Sequence, residues 1–122
     1  MSDWNVTEEK VAVAVDRIVR VLDPVRIVAF GSRAQGSATP DSDLDLAVIL
    51  EGDPASSPQL RYSTSFLDLH LPIDVLVTGI EHHLRLRNSI NSIHYDIDHK
   101  GIVLYEKTYG SPDRSAIGKV SG

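Results

Sequence analysis

The sequence predicts an α/β domain: a small mixed β-sheet of about four strands flanked by helices. Three observations predict it. A stretch of helical period opens the chain, four short runs rich in β-branched residues follow, and Gly or Pro punctuates them where helical spacing returns. At 122 residues the chain is the length of one domain. A domain of this size buries roughly two-thirds of the surface its unfolded chain exposes, enough for a core without staples. There is no cysteine, which removes disulfides, thiolate zinc sites and cysteine nucleophiles together and fits a reducing cytoplasm.

The first element is a helix over Thr7 to Leu22. Val11, Val15, Ile18, Val19 and Leu22 share one face, and Glu8 and Glu9 sit at its positive end. Pro24 breaks it. "VRIVAF" (25–30) then reads as a strand running into a tight turn at Gly31, and "LDLAVIL" (44–50) as a second strand closed by Gly52. Ser57 as N-cap with Pro58 in the first turn starts a second long helix, expected to reach about Leu71 and to end at Pro72. "IDVLVT" (73–78) is the third strand. Gly79 leads into a helical region with Leu86, Ile90, Ile93 and Ile97 on one face, stopped by Gly101. "IVLYE" (102–106) is the last strand. Residues 109–122, rich in Gly and Ser, read as a disordered tail, which leaves 1–108 as the domain. Trp4 is expected to pack on the first helix.

Charge and hydropathy narrow the function. The N-terminus "MSDWNVTEEK" has neither a basic start nor an apolar core, and no window approaches the roughly 20 apolar residues that span a bilayer, so neither secretion nor membrane insertion is expected. The net charge is −5, and Asp41, Asp43, Asp45, Glu51 and Asp53 fall in a stretch without Lys or Arg. Such a surface repels a phosphate backbone, so stable duplex binding is not expected, whereas a small anion carried on a divalent metal escapes the objection.

Known phosphate and calcium motifs fail in "FGSRAQGSATPDSDLDLAVIL" (30–50). Gly31 and Gly36 have the P-loop spacing, but Ser37 and Ala38 stand where Lys and Ser/Thr bind phosphate and magnesium. Arg33 occupies the middle glycine of a dinucleotide fingerprint. A calcium loop from Asp41 would have Leu46 for its glycine and Gly52 for its bidentate glutamate.

What survives is Asp43 and Asp45, two apart at a strand's mouth. Period-2 geometry puts both carboxylates on one face, about 6 to 7 Å apart at the backbone. That suits two magnesium ions roughly 3.5 to 4 Å apart, as in displacements at phosphorus. Asp74, a lone charge in an apolar strand, is the candidate third ligand, since a carboxylate there calls for a metal, a partner or an exposed strand end. Gly31 and Ser32 would offer N–H groups and a hydroxyl to phosphate oxygens. Asp96 and Asp98 share the D-x-D spacing but lie in a helical stretch, where residues two apart point about 200° around the axis. They read as a solvated face. His70, His82, His83, His94 and His99 have no recognised ligand spacing and read as surface or helix-packing residues, and a serine hydrolase lacks its G-x-S-x-G elbow.

Gly31-Ser32, then ten residues, then Asp43-Leu44-Asp45 resembles the signature of the minimal nucleotidyltransferases of the DNA polymerase beta superfamily. "PIDVLV" and "GIVLYEK" stand where that family has its third-aspartate strand and its closing strand, so the resemblance spans roughly residues 7–107. It implies a nucleotidyltransferase fold and transfer of a nucleoside monophosphate from an NTP, here ATP, to a hydroxyl. Asp43, Asp45 and Asp74 would hold Mg2+, two ions in all, with Asp74 accepting the hydroxyl's proton. Gly31, Ser32 and Arg33 would hold the triphosphate, Arg33 serving where the family often has arginine and this chain has Gln35. Larger relatives append an acceptor-binding helical domain that is not in this sequence, so the acceptor is expected on another protein. Family members of this size resemble antitoxins that adenylylate a tyrosine of a HEPN-type toxin partner in the cytoplasm. Two alternatives stay open: an antitoxin that neutralises its partner by binding alone, and a transferase acting on a small molecule or an RNA end. Homo- or hetero-oligomerisation is also left open.

Overall fold

The structure, a computed structural model, describes residues 5–36, 43–52 and 66–108. Trp4, the proposed helix start at Ser57 and Pro58, and the tail 109–122 lie outside the described residues.

Helix α1 runs over Glu8–Leu22. Thr7 caps it, its hydroxyl accepting from the Lys10 N–H at 3.2 Å, and Asp23 ends it in the left-handed region with its N–H on the Val19 carbonyl at 3.0 Å. The apolar face read from the sequence is the packed one. Ala14 and Ile18 are buried, and Val11, Val15, Val19 and Leu22 close over the same core.

Strands β1 (Arg26–Phe30), β2 (Leu44–Leu50), β3 (Ile73–Gly79) and β4 (Ile102–Glu106) form one sheet in the order β3-β2-β1-β4. β1 pairs antiparallel with β2 and with β4, and β2 pairs parallel with β3. The sheet is therefore mixed. β2 lies between two strands and between two layers, which is why its sequence is an almost unbroken apolar run rather than an alternation. Leu44, Leu46, Val48 and Leu50 face α1 together with Ile27 and Ala29, while Ala47 and Ile49 face the other side with Val28 and Ile97. Each fully buried Ile or Leu contributes about 1.5 to 3 kcal/mol. Leu46→Ala, at a site with no exposure, should cost about 2 to 5 kcal/mol.

Two helical expectations need correction. Where the helix was expected to reach Leu71, the described residues from 66 onward hold only a single 3₁₀ turn over Leu67–Leu69. His70 turns left-handed (φ 50°), and Pro72 disfavours a helical Leu71. The His70 carbonyl instead accepts from Lys10 Nζ at 2.9 Å and from the Asn5 N–H at 3.3 Å, tying this corner to the start of α1.

The helical region after Gly79 is two helices, α2 (Ile80–Leu86) and α3 (Ile93–Lys100). Asn88, Ser89, Asn91 and Ser92 interrupt it, because short polar side chains bond to nearby backbone in competition with helix. Ser92 shows this directly: its hydroxyl accepts from the His94 N–H at 3.1 Å and starts α3 afresh. Ile90, assigned to a continuous apolar face, is 77 % exposed in the break. Gly101 ends α3 for a spatial reason. Its φ of −78° is open to any residue, but a Cβ there would collide with Val28 Cγ1 and lie 2.5 Å from the Ile97 carbonyl oxygen.

Candidate active site

Asp43, Asp45, Asp74, Gly31, Ser32 and Arg33 come together at one end of the sheet. β1 arrives there at Phe30, β2 departs at Leu44, and β3 departs at Ile73. In the antiparallel pair Phe30 stands opposite Asp45, and in the parallel pair Asp74 stands opposite Asp45. Neighbouring strands lie about 4.8 Å apart, so Asp45 and Asp74 share one face at the spacing of adjacent strands. The Leu44 N–H donates to the Pro72 carbonyl at 2.8 Å and fixes this register one residue before the aspartates.

After Phe30 the chain makes a turn over residues 31–36. Gly31 (φ +78°) and Gly36 (φ +76°) occupy the left-handed region that glycine enters without strain, and the Gln35 N–H closes the turn on the Gly31 carbonyl at 3.2 Å. Gly31 is needed for space as well: a Cβ there would lie 2.5 Å from Asp45 Oδ2. Ser32 and Arg33 follow on the same turn, both half-buried.

Exposure separates the three carboxylates. Asp43 precedes the strand and is exposed, Asp45 is half-buried, and Asp74 is exposed at the start of an edge strand. Burial cost therefore says little about Asp74. Its claim on the site comes from register. The Asp45 carboxyl is pushed above its ordinary value, first by burial, then by the Asp74 charge and then by Asp43. Asp74 and Asp43 thus both act electrostatically on Asp45.

These carboxylates are hard oxygen donors of the kind that suits Mg2+. A cation near Asp45 would offset the repulsion that raises its pKa, so the donor set fits a divalent metal in kind. In arrangement it is looser than the sequence suggested: among the described residues, no three His, Asp or Glu side chains are gathered closely enough to hold a metal ion.

Sequence reasoning missed two contributors. Phe30 borders Asp45 across the strand pair, and Pro72 pins the β2 and β3 ends through its carbonyl. "AFGS" gave the first a signal, an aromatic closing a strand just before the turn. The second depends on which strands are neighbours and has no local signal.

The sequence model of the family described as polymerase beta, nucleotidyltransferase, matches residues 16–109. No curated protein matches the chain. Two solved structures share the fold. One, from Sulfolobus solfataricus and solved as a candidate nucleotidyltransferase, is 13 % identical with a TM-score of 0.52, over 84 % of this chain and 82 % of that one. The other, a toxin-antitoxin complex with AMP-PNP, is 20 % identical with a TM-score of 0.54, over 84 % of this chain and 76 % of that one.

Proposed function

Because this chain belongs to the polymerase beta nucleotidyltransferase family, we propose that it transfers AMP from ATP to a protein hydroxyl, a tyrosine of a HEPN-type toxin, and thereby acts as an antitoxin in the cytoplasm. The observation that carries this reading is the placement of Asp45 between the Gly31 turn and Asp74. In this reading the turn that would hold phosphate and the carboxylates that would hold metal stand at the same end of the sheet. Family membership supports the transferase chemistry. The toxin-antitoxin complex of the same fold, with its AMP-PNP, supports the adenine nucleotide and the partner.

In this reading the N–H groups of the Gly31 turn, the Ser32 hydroxyl and Arg33 hold the triphosphate by charge-assisted hydrogen bonds. Asp74 takes the proton of the attacking hydroxyl. The hydroxyl oxygen bonds to the α-phosphorus, the bond to the bridging oxygen breaks, and pyrophosphate leaves with that electron pair. Asp43, Asp45 and Asp74 would hold Mg2+, which, when bound, neutralises charge developing on the phosphate oxygens. Phe30, beside Asp45, keeps one wall of the site apolar. Among the described residues no helix is long and apolar enough to cross a membrane.

The test is to incubate the protein with Mg-ATP and the toxin and weigh the toxin. A mass gain of AMP units that accompanies loss of toxin activity, and that vanishes in Asp43→Asn/Asp45→Asn, is the expected result. Inhibition with no added mass would replace this reading with neutralisation by binding.

A further inference from the structure

At the other end of β3 from Asp74, the chain enters α2 and builds a buried polar chain that the transferase reading does not use. His83 has no exposure and His94 is 6 % exposed. Their Nδ1 atoms are 3.0 Å apart, and the other nitrogen of His83, Nε2, lies 3.3 Å from Asp98 Oδ1. Three side chains from two helices thus form the sequence Asp98, His83, His94.

The facing nitrogens limit the protons the pair can carry. A bond at 3.0 Å needs one N–H and one lone pair. With both rings neutral, His94 Nδ1–H donates to His83, whose Nε2–H donates to Asp98. With one extra proton on His83, both of its nitrogens donate, to His94 and to the Asp98 carboxylate, and the contact survives. A second extra proton puts two N–H groups head to head, and the bond is lost.

The surroundings make that second proton costly but reachable. The strand side chains packed beneath this layer, Val28, Phe30, Ala47, Ile49 and Leu76, carry no charge. From α3, Asp98 faces His83, and His99 stands 4.0 Å from the second Asp98 oxygen. Asp96 is turned to Lys100 at 3.8 Å. From α2, His82 meets the His94 ring edge-on with centroids 5.0 Å apart. His82 also lines an open cavity of about 520 Å³ with Glu51, Thr78, Glu81 and Arg85, which gives water access to the cluster's edge. Burial first, then the rings of His83 and His82, hold the His94 pKa below its ordinary value.

The geometry points to an acid-released latch: protonation of both His83 and His94 breaks the Nδ1···Nδ1 bond and frees α2 from α3 while the four-stranded sheet stays folded. The latch bridges the segment 87–92, whose own backbone bonds are short-range turns such as Ser89 N–H to Leu86 O and Ser92 N–H to Ser89 O. The direction follows from linkage. His94, whose folded pKa is depressed, contributes stability that is present above the unfolded value, about 6.5, and is lost as pH falls from there toward the folded value.

Amide hydrogen exchange on the full chain, corrected for the intrinsic pH dependence, tests this between about pH 7.5 and 5. Exchange within 80–100 should accelerate severalfold at the acid end, while β1 and β2 amides hold their protection. His94→Gln keeps a donor for His83 and removes the charge, so the acceleration should disappear. Uniform acceleration over the sheet, no acceleration, or the same acceleration in His94→Gln overturns the latch. Should that variant fail to fold, ring ¹⁵N shifts of the wild type decide: coupled titration of His83 and His94 supports it, and two independent single-site curves overturn it.

Discussion

Gly31 and Asp45 are in such close contact that one methyl group on Gly31 would sit 2.5 Å from the Asp45 carboxylate oxygen. The turn and the half-buried carboxylate therefore hold each other in place.

Gly31→Ala should cripple transfer while leaving a folded protein. The left-handed φ of +78° costs an alanine about 1 kcal/mol, and the new Cβ drives the Asp45 side chain from its position. Thermal melting should show a modest loss and the toxin mass assay a loss of one hundredfold or more, roughly the effect of displacing a reacting group by 1 Å. A variant with wild-type turnover would separate Gly31 from the site.

Asp45→Asn should melt no lower than the wild type in chelator at about pH 7, and the comparison should depend on pH. The folded pKa of Asp45 is raised, so the folded state holds its proton more tightly than the unfolded chain does. Ionised Asp45 thus opposes folding above the ordinary carboxylate value, and the penalty fades as pH falls through the raised value toward that ordinary one. Melting curves from about pH 7 to 4 should show the advantage of Asp45→Asn shrinking, and Mg-ATP should raise the wild-type midpoint alone. A variant that melts well below the wild type in chelator would mean that Asp45 has a structural partner.

Gly101→Ala should destabilise by overpacking, about 1 to 3 kcal/mol or more, because the displaced neighbours are Val28 and two backbone carbonyls with nowhere to move. Denaturant unfolding measures it. A loss below about 0.5 kcal/mol would show that α3 and β1 can separate freely at this point.

Arg17 grips Asp68 through two hydrogen bonds, at 2.8 and 2.7 Å, joining α1 to the 3₁₀ turn. The guanidinium holds the Asp68 carboxyl below its ordinary value, so the pair's contribution is present above that value and lost as pH falls through the lowered one. Asp68 is exposed and Arg17 half-buried, and Asp68→Asn should lower the melting point slightly at low ionic strength and by less near 1 M salt, where the Debye length is about 3 Å.

Much of this arrangement was legible in the sequence where one residue type dictates one local outcome. α1 was readable from its apolar face and its cap position, and β2 and β4 from runs such as "LDLAVIL" and "IVLYE" bounded by Gly. That Asp43, Asp45 and Asp74 mark one end of the sheet was likewise visible, because charges at the mouths of apolar strands stand out. Contacts between distant segments were not. That β2 and β3 run side by side is a property of the crossover, and the tightness of Gly31 on Asp45 belongs to two strands whose separation no spacing encodes. Ile90 and Ile93 misled because a 3.6-residue period persisted through "RNSINS", where Ser92 competes for the backbone. Asp98 looked like a solvated charge because its partner His83 lies on another helix.

The parallel pairing of β2 with β3 carries a consequence for the order of assembly. β1 and β2 can zip as neighbours soon after the Gly31 turn forms, but Asp74 reaches Asp45 only when the whole crossover has closed, and such long-range closure is slow. A half-folded chain therefore owns the Gly31 turn, Asp43 and Asp45 without Asp74 beside them. Completion of the carboxylate group then reports that β3 has joined β2, whether or not β4 has yet closed on β1.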